Sequence, residues 1–169
     1  HYLGMRPLLR SIDVWWDYPT PGPAKKTQLW HRDGDDLLNL KVFVYVTDVT
    51  PSSGPFCYIP KTHPMGSLFR AAPAHDAQGR VTDEHMARVI PAAQWTVNTA
   101  PAGTVILCDT CGFHKGLKPV EGDRLMLMWQ YTSGTPNYPR TGSWVADPAS
   151  TQWTRLQRQA LGTLTMATS

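Results

Sequence analysis

The sequence predicts an all-β domain with a jelly-roll core, one loop-rich insertion and a few short helices. Two observations lead to this prediction. Fifteen prolines and thirteen glycines divide the chain into short segments, and several of these segments alternate apolar with polar residues, as strands do. The length of 169 residues is that of one domain around one core, so we expect residues 1–169 to form a single domain.

The first predicted strand covers residues 8–16 and ends before the prolines of segment 19–23. A second strand is expected at 26–33, where side chains 31 and 33 would point to the same face. Further strands are expected at 56–59, 104–109 and 124–132, each bounded by turns rich in Pro, Gly or acidic residues. Eight antiparallel strands in two sheets would complete the jelly roll.

Residues 38–46 show the clearest alternation of the chain. Leucine and valine occupy the even positions, whereas the odd positions hold Asn39, Lys41, Phe43 and Tyr45. One face of this strand should be packed. The polar and aromatic face should either line a cavity or meet solvent.

Residues 61–93 lose this alternation and are predicted to form a loop-rich insertion with a short helix from Thr82 through Val89. Long loops in compact domains are commonly lids or binding loops, so we expect the insertion to be a mobile cover over a site. A second helix is expected at 148–159.

Composition excludes several classes of function. The net charge of +3 without a basic run argues against nucleic-acid binding, and no apolar run approaches the roughly 18 residues that span a bilayer. Three cysteines cannot form a disulfide framework, so we expect a reduced, cytoplasmic protein. The Cys108-x-x-Cys111 pair has no second pair to complete a zinc site, which favours two packed thiols.

Two histidines and one carboxylate have the spacing of a metal site. His31 and Asp33 are two residues apart, and His114 follows 81 residues after Asp33 (114 − 33), so it must come from another strand. Two imidazoles and one carboxylate form the facial triad of non-haem Fe(II) oxygenases. The alternative for His31 and Asp33 is a surface pair at a polar strand end. The alternative for His114 is a loop histidine whose ring is hydrogen-bonded within the protein.

The surrounding segments make the resemblance specific. Trp30 precedes the His-x-Asp motif, Ile59-Pro60-Lys61-Thr62-His63 follows, and a strand from Gly103 runs towards His114. Arg124 comes ten residues after that histidine (124 − 114). Over roughly residues 25–133 this order resembles the phytanoyl-CoA dioxygenase family of Fe(II)/2-oxoglutarate-dependent oxygenases, whose cupin-like double-stranded β-helix agrees with the predicted fold.

The resemblance implies a ligand set and a reaction. His31, Asp33 and His114 would hold Fe(II), and Arg124 would pair with the far carboxylate of the co-substrate 2-oxoglutarate through its planar fork. The alternative for Arg124 is a surface salt bridge with Glu121 or Asp123. The protein would oxidise, by hydroxylation, an unactivated C–H bond of a small molecule, with succinate and CO2 as co-products. The residues specify neither the substrate nor the oligomeric state.

Three further side chains are candidates for contact with the co-substrate. Lys41 and Tyr45 share the polar face of their strand, and Thr132 ends the strand of Arg124. The alternative for the first two is an exposed sheet face.

The chain departs from the family pattern in three respects. Gly116 stands where many members have Ser or Thr, and Lys61 stands where they usually have Gly. The sequence begins at His1, and members usually extend further at the N-terminus, so we expect N-terminal parts of the domain to be missing.

Two other functions are compatible with these residues. One is a cupin-type metalloenzyme that does not use 2-oxoglutarate; the spacing of Arg124 argues against it. The other is a non-catalytic binding module on the same fold, against which the intact triad argues. Succinate formation separates both from the oxygenase.

Overall fold

The structure is a computed structural model that describes residues 2–133 together with Asn137, Thr154 and Gln157. The helix expected at 148–159 therefore lies, apart from Thr154 and Gln157, outside the described residues.

Seven strands and one α-helix make up the described part of the chain. In chain order they are β1 (Leu8–Asp17), β2 (Leu40–Tyr45), β3 (Phe56–Tyr58), α1 (Asp83–Ala87), β4 (Thr96–Asn98), β5 (Val105–Asp109), β6 (His114–Gly116) and β7 (Arg124–Thr132). Single turns of 3₁₀ helix cover Lys26–Gln28 and Ala92–Gln94.

The strands form two antiparallel sheets. The larger sheet has the order β1-β7-β2-β5, and the smaller has the order β4-β3-β6. The free edge of β6 is bridged by His31, whose backbone exchanges two hydrogen bonds of 3.0 Å with that of His114. The segment around His31 therefore extends the smaller sheet by one short member, and the predicted jelly roll is confirmed.

Alternation along β7 sets one wall of the interior. The odd-numbered residues of β7 are half-buried, whereas its even-numbered residues are buried: Arg124, Met126, Met128, Gln130 and Thr132. Strand β2 behaves in the same way, because Phe43 and Tyr45 are buried, as is Asn39 directly before the strand. The polar and aromatic face of β2 thus faces the interior. Of the two possibilities that the sequence left open, a cavity or solvent, the structure has the first.

The prediction of a strand at 26–33 is wrong for most of that segment. Lys26 has φ +54° and begins a 3₁₀ turn, so the chain becomes extended only at Leu29. Trp30 and His31 then make single bridges to Val81 and His114. The alternation of apolar and polar residues could not reveal this turn, because nothing in the sequence marks a lysine that adopts a left-handed backbone conformation.

Strand β4 was not predicted, although its Thr and Val residues favour strands. The expected helix is present as the shorter α1, capped by Thr82, whose hydroxyl accepts a hydrogen bond from the His85 backbone N–H at 3.3 Å.

The insertion at 61–93 does not form a single loop over the cavity, because part of it packs into the core. Val81, Met86 and Ile90 are buried against Trp30, in a core cluster that also holds Cys57, Ile59 and Phe113. The expectation of a mobile cover is therefore wrong for segment 81–90, because these three buried side chains fix it to the core. A second cluster lies between the sheets and comprises Phe43, Tyr45, Val49, Phe56, Cys108, Met126 and Met128.

No helix among the described residues has the length and apolar character needed to cross a bilayer.

Candidate metal centre

The structure brings His31, Asp33 and His114 together. One ligand atom from each lies within 4.8 Å of the ligand atoms of the other two. The Nε2 atoms of His31 and His114 are 3.9 and 3.7 Å from the Asp33 carboxylate oxygens, and the two imidazole rings are 4.2 Å apart. The paired backbones of His31 and His114 create this convergence across an interval of 83 residues (114 − 31).

Both imidazoles are oriented by a backbone carbonyl. Nδ1 of His31 lies 2.8 Å from the Leu29 carbonyl oxygen, and Nδ1 of His114 lies 3.0 Å from that of Gly112. Because a carbonyl only accepts, each Nδ1 must carry the proton and each Nε2 is left with a free lone pair. Histidines that bind metals are commonly held in this way.

Burial keeps the two histidines neutral. It lowers the pKa of His31 to about 3, an effect to which the neighbouring His114 adds. Burial likewise lowers the pKa of His114. A metal requires the neutral imidazole, so neither ligand would have to lose a proton near pH 7.

Asp33 is held in the ionised state. Burial alone would raise the pKa of its carboxyl, but the Lys41 ammonium beside it holds that pKa well below its usual range. Lys41 Nζ lies 2.6 Å from Asp33 Oδ2. The backbone N–H of Asp33 donates to the Thr110 carbonyl at 2.8 Å, which fixes the main chain at this point.

The donor set suits a divalent first-row metal. Two neutral imidazoles and one carboxylate can occupy three adjacent positions and leave the opposite side open. That open side faces a cavity of about 240 Å³, which is lined by the three residues of the triad and by side chains from β1, β2, β3 and β7. The apolar part of its wall consists of Trp15, Phe43, Phe56, Met126 and Met128.

Arg124 lies in the wall of the same cavity. Its side chain is buried, and Nη2 donates to Asp17 Oδ2 at 2.7 Å across the β1–β7 ladder. Nε and Nη1 are buried without a hydrogen bond of normal geometry. Two nitrogens of the guanidinium, Nε and Nη1, therefore carry N–H groups without a hydrogen-bond partner among the described residues, and a planar guanidinium can pair with a carboxylate through such groups.

Gly116 explains the position of the Arg124 side chain. A Cβ atom at Gly116 would lie 2.8 Å from Nη2 and 3.4 Å from Nη1 of Arg124. The glycine at a position where many family members have Ser or Thr thus leaves room for the guanidinium itself.

The other candidates for co-substrate contact are placed differently. Lys41 lines the cavity, but its ammonium is paired with Asp33. The Tyr45 hydroxyl donates to the Asn98 carbonyl at 2.8 Å and accepts from the Phe56 N–H at 3.1 Å, between the two sheets. Thr132 is buried at the far end of β7. Neither Tyr45 nor Thr132 is among the residues that line the cavity.

Two charged residues of the cavity wall were not identified from the sequence. Asp17 ends β1 directly opposite Arg124, and Arg80 enters the cavity wall from the insertion. The strand pairing that places Asp17 beside Arg124 has no local signature. Arg80 lies in a stretch without periodicity, so only its charge could have drawn attention to it.

The three thiols are buried and free, as expected for packed side chains. Burial raises the pKa of Cys57 to about 11, and it raises the pKa values of Cys108 and Cys111 further. The Cys111 thiol donates to the Asp36 carbonyl at 3.3 Å.

Several solved structures share this fold at low sequence identity. EctD from S. alaskensis with bound Fe is 20% identical, with a TM-score of 0.58, and the match covers 78% of this chain and 46% of that one. HygX from Streptomyces hygroscopicus with nickel and 2-oxoglutarate bound is 17% identical, with a TM-score of 0.55, and 89% of this chain and 67% of that one are covered. The carbocyclase SnoK from nogalamycin biosynthesis is 21% identical, with a TM-score of 0.55 and coverages of 82% and 54%.

The chain thus spans about half of the length of EctD and SnoK. No curated protein sequence matches it.

The family of this chain is assigned by a match to a family model, since structural likeness at such low sequence identity shows only the fold. The model described as Phytanoyl-CoA dioxygenase (PhyH) matches residues 7–118, a range that includes His31, Asp33 and His114. This range is about two thirds of the chain (112 of 169 residues). The chain therefore belongs to the phytanoyl-CoA dioxygenase family.

Proposed function

We propose that this chain is the core of an Fe(II)/2-oxoglutarate-dependent oxygenase that hydroxylates an unactivated C–H bond of a small molecule. His31, Asp33 and His114 would hold the metal, and Arg124 would hold the far carboxylate of 2-oxoglutarate. The observation that carries the proposal is the presence, in one cavity, of a preoriented triad and a buried arginine whose Nε and Nη1 have no hydrogen-bond partner among the described residues.

Fe(II) held by the triad would supply the activation of O2, which is the oxidant. One oxygen atom would enter succinate as 2-oxoglutarate loses CO2, and the other would become the hydroxyl group of the product. The protein would supply geometry. The Leu29 and Gly112 carbonyls fix the two imidazoles. Lys41 orients the carboxylate of Asp33 through the oxygen that it contacts, so that the other oxygen can face the metal.

The pair between Arg124 and Asp17 supports the role of the arginine. A buried guanidinium without any carboxylate would be costly, so Asp17 stabilises it when no ligand is bound. Only Nη2 is used by Asp17, and a dicarboxylate ligand could pair with the remaining donors without displacing it.

The apolar wall suits the reaction. Phe43, Phe56, Met126 and Met128 lie on the interior faces of β2, β3 and β7 and are almost fully buried. They would exclude water from the reacting C–H bond and offer no competing polar group. The structures of EctD with 2-oxoglutarate and 5-hydroxyectoine and of the 2-oxoglutarate-dependent carbocyclase SnoK have this fold with different outcomes, so product analysis must decide between hydroxylation and ring closure.

The direct test measures succinate released from 2-oxoglutarate under air, with and without Fe(II), while small molecules are screened for stimulation. We expect iron-dependent succinate formation, even without a substrate, and its loss in Asp33→Ala. A cupin enzyme of another type, or a binding module, would release no succinate under any condition. The control is Asp48→Ala, because Asp48 is exposed and accepts a hydrogen bond only from the loop N–H of Ala102 among the described residues.

A further inference from the structure

The charges that line the metal cavity do not balance. Three cations, Lys41, Arg80 and Arg124, face two carboxylates, Asp17 and Asp33. Lys41 is paired with Asp33, and Arg124 is paired with Asp17. Arg80 forms no ion pair within the described part of the chain, so it holds the one positive charge of the wall that is left without a partner there.

The environment of Arg80 indicates a ligand. Its side chain is half-buried, and Nη1 is fully enclosed without a hydrogen-bond partner. A buried guanidinium nitrogen without an acceptor is unfavourable, which makes it a place where an anion would be stabilised.

The backbone beneath Arg80 is firmly held. Its N–H donates to Asp76 Oδ1 at 2.8 Å and its carbonyl accepts from the Asp76 N–H at 2.9 Å. The next residue, Val81, is buried in the core and bridges Trp30. The Arg80 side chain therefore starts from a fixed point rather than from a mobile loop.

Arg80 also marks the way into the metal cavity. Together with His31 it lines both that cavity and a neighbouring cleft of about 410 Å³, whose other walls include Arg32, Pro73 and Phe113. A molecule that reaches the metal from this cleft would pass the guanidinium.

Bound Fe(II) and 2-oxoglutarate would not remove the imbalance, since a divalent cation and a dianion cancel. We infer that the substrate is itself an anion, and that Arg80 binds its carboxylate or phosphate group while the apolar wall receives the carbon to be oxidised. This inference rests on the proposed function and adds the chemical class of the substrate to it. A planar guanidinium suits such oxygens because it can donate two parallel hydrogen bonds.

The test uses matched probes of one shape. The protein is loaded with Ni(II), which holds the metal position without turnover, and with saturating 2-oxoglutarate, which fills the Arg124 site. Benzoate, phenyl phosphate and benzamide are then titrated calorimetrically into the wild type, Arg80→Gln, Arg80→Lys and the control Arg88→Gln. Arg88 is the exposed residue that caps the C-terminus of α1, and it pairs with Glu84.

We expect the wild type to bind at least one of the two anions about tenfold more tightly than neutral benzamide, as one buried charge-assisted contact provides. Arg80→Gln should remove this preference, Arg80→Lys should retain part of it, and Arg88→Gln should leave it unchanged. The stronger of the two anions identifies the group that the substrate carries.

Three results would overturn the inference in distinguishable ways. Equal binding of benzoate, phenyl phosphate and benzamide by a wild type that binds 2-oxoglutarate would refute the anionic substrate alone. An unchanged preference in Arg80→Gln would place the anion site elsewhere. Loss of 2-oxoglutarate binding in Arg80→Gln would make Arg80 the co-substrate anchor, whereas failure of the wild type to bind 2-oxoglutarate would refute the proposed function and this inference together.

Discussion

At the scale of single residues, two ion pairs hold four charged side chains of the cavity wall in place. Lys41 contacts Asp33, and Asp17 contacts Arg124, so each carboxylate beside the metal position is matched by one cation. Removing one partner of such a pair leaves the other charge poorly compensated. Substitutions in these pairs should therefore be compared by ligand affinity as well as by stability.

Arg124→Ala should weaken 2-oxoglutarate binding while metal affinity stays close to that of the wild type. The loss of a buried charge-assisted contact costs roughly 2–5 kcal/mol, or about 30-fold to several-thousand-fold in affinity. Calorimetric titration of 2-oxoglutarate into the Ni(II)-loaded variant measures the effect, with Arg88→Ala as the exposed control. Unchanged 2-oxoglutarate affinity would show that the co-substrate is anchored elsewhere.

Gly116→Ala tests the space that holds the guanidinium. The new Cβ would lie 2.8 Å from Arg124 Nη2, and the flexible arginine must move to relieve this contact. We expect little loss of stability but about a tenfold loss of 2-oxoglutarate affinity, equivalent to about 1.4 kcal/mol. Gly34→Ala is the control, since nothing lies within 4 Å of its Cβ position. Equal affinities in both variants would contradict the proposed packing.

Lys61→Gly should stabilise the protein. Lys61 has φ +66°, a left-handed conformation that costs an ordinary residue roughly 1–2 kcal/mol. Part of the gain is offset by the greater freedom of glycine in the unfolded chain, so we expect a net increase of roughly 0.5–1 kcal/mol in the free energy of unfolding. Urea denaturation measures it. Lys25→Gly, at φ −147°, should instead lower stability slightly, and a gain there of the same size would refute the backbone explanation.

Among the structural elements, the short segment around Trp30 connects the core to the metal centre. Trp30 is fully buried, packs edge-to-face on Trp95 and donates to Asp83 through Nε1 at 2.7 Å. Its neighbour His31 is bridged to β6. The packing of this one side chain thus determines where the first metal ligand lies.

Trp30→Ala should cost about 3–5 kcal/mol of stability, as large core truncations do, and should weaken metal binding as well. Chemical denaturation and metal titration measure the two effects. Trp16→Ala is the matched control, because Trp16 is 64% exposed on β1. If the two variants lost similar amounts of stability, Trp30 would not be the anchor of this segment.

The elements differ in how well the sequence predicts them. Strand β7 has the predicted bounds, since its alternation is complete and its buried face includes Arg124. The segment 26–33 does not form a strand, because the left-handed Lys26 interrupts it and only single bridges follow. His31 and Asp33 nevertheless converge, because the backbone of each is held by an element outside that segment.

In the molecule as a whole, the sequence predicts the jelly roll and the three residues that meet at its centre. The order of strands in the sheets could not be predicted, because pairing between distant strands has no local signature. The same is true of Asp17, which reaches Arg124 through the β1–β7 ladder, and of Arg80, which reaches the cavity from a loop. The acidic and basic groups that neutralise or recognise charge in the cavity are therefore visible only in the folded chain.

The central claim is that His31, Asp33 and His114 together hold one metal ion. Anaerobic equilibrium dialysis of Fe(II) against the wild type and His114→Ala examines it, with His75→Ala as an exposed-histidine control. We expect one Fe(II) per chain in the wild type and in the control, and an affinity at least about tenfold lower in His114→Ala, since even a residue that only supports a ligand contributes that much. A full equivalent of Fe(II) bound with wild-type affinity by His114→Ala would contradict the account.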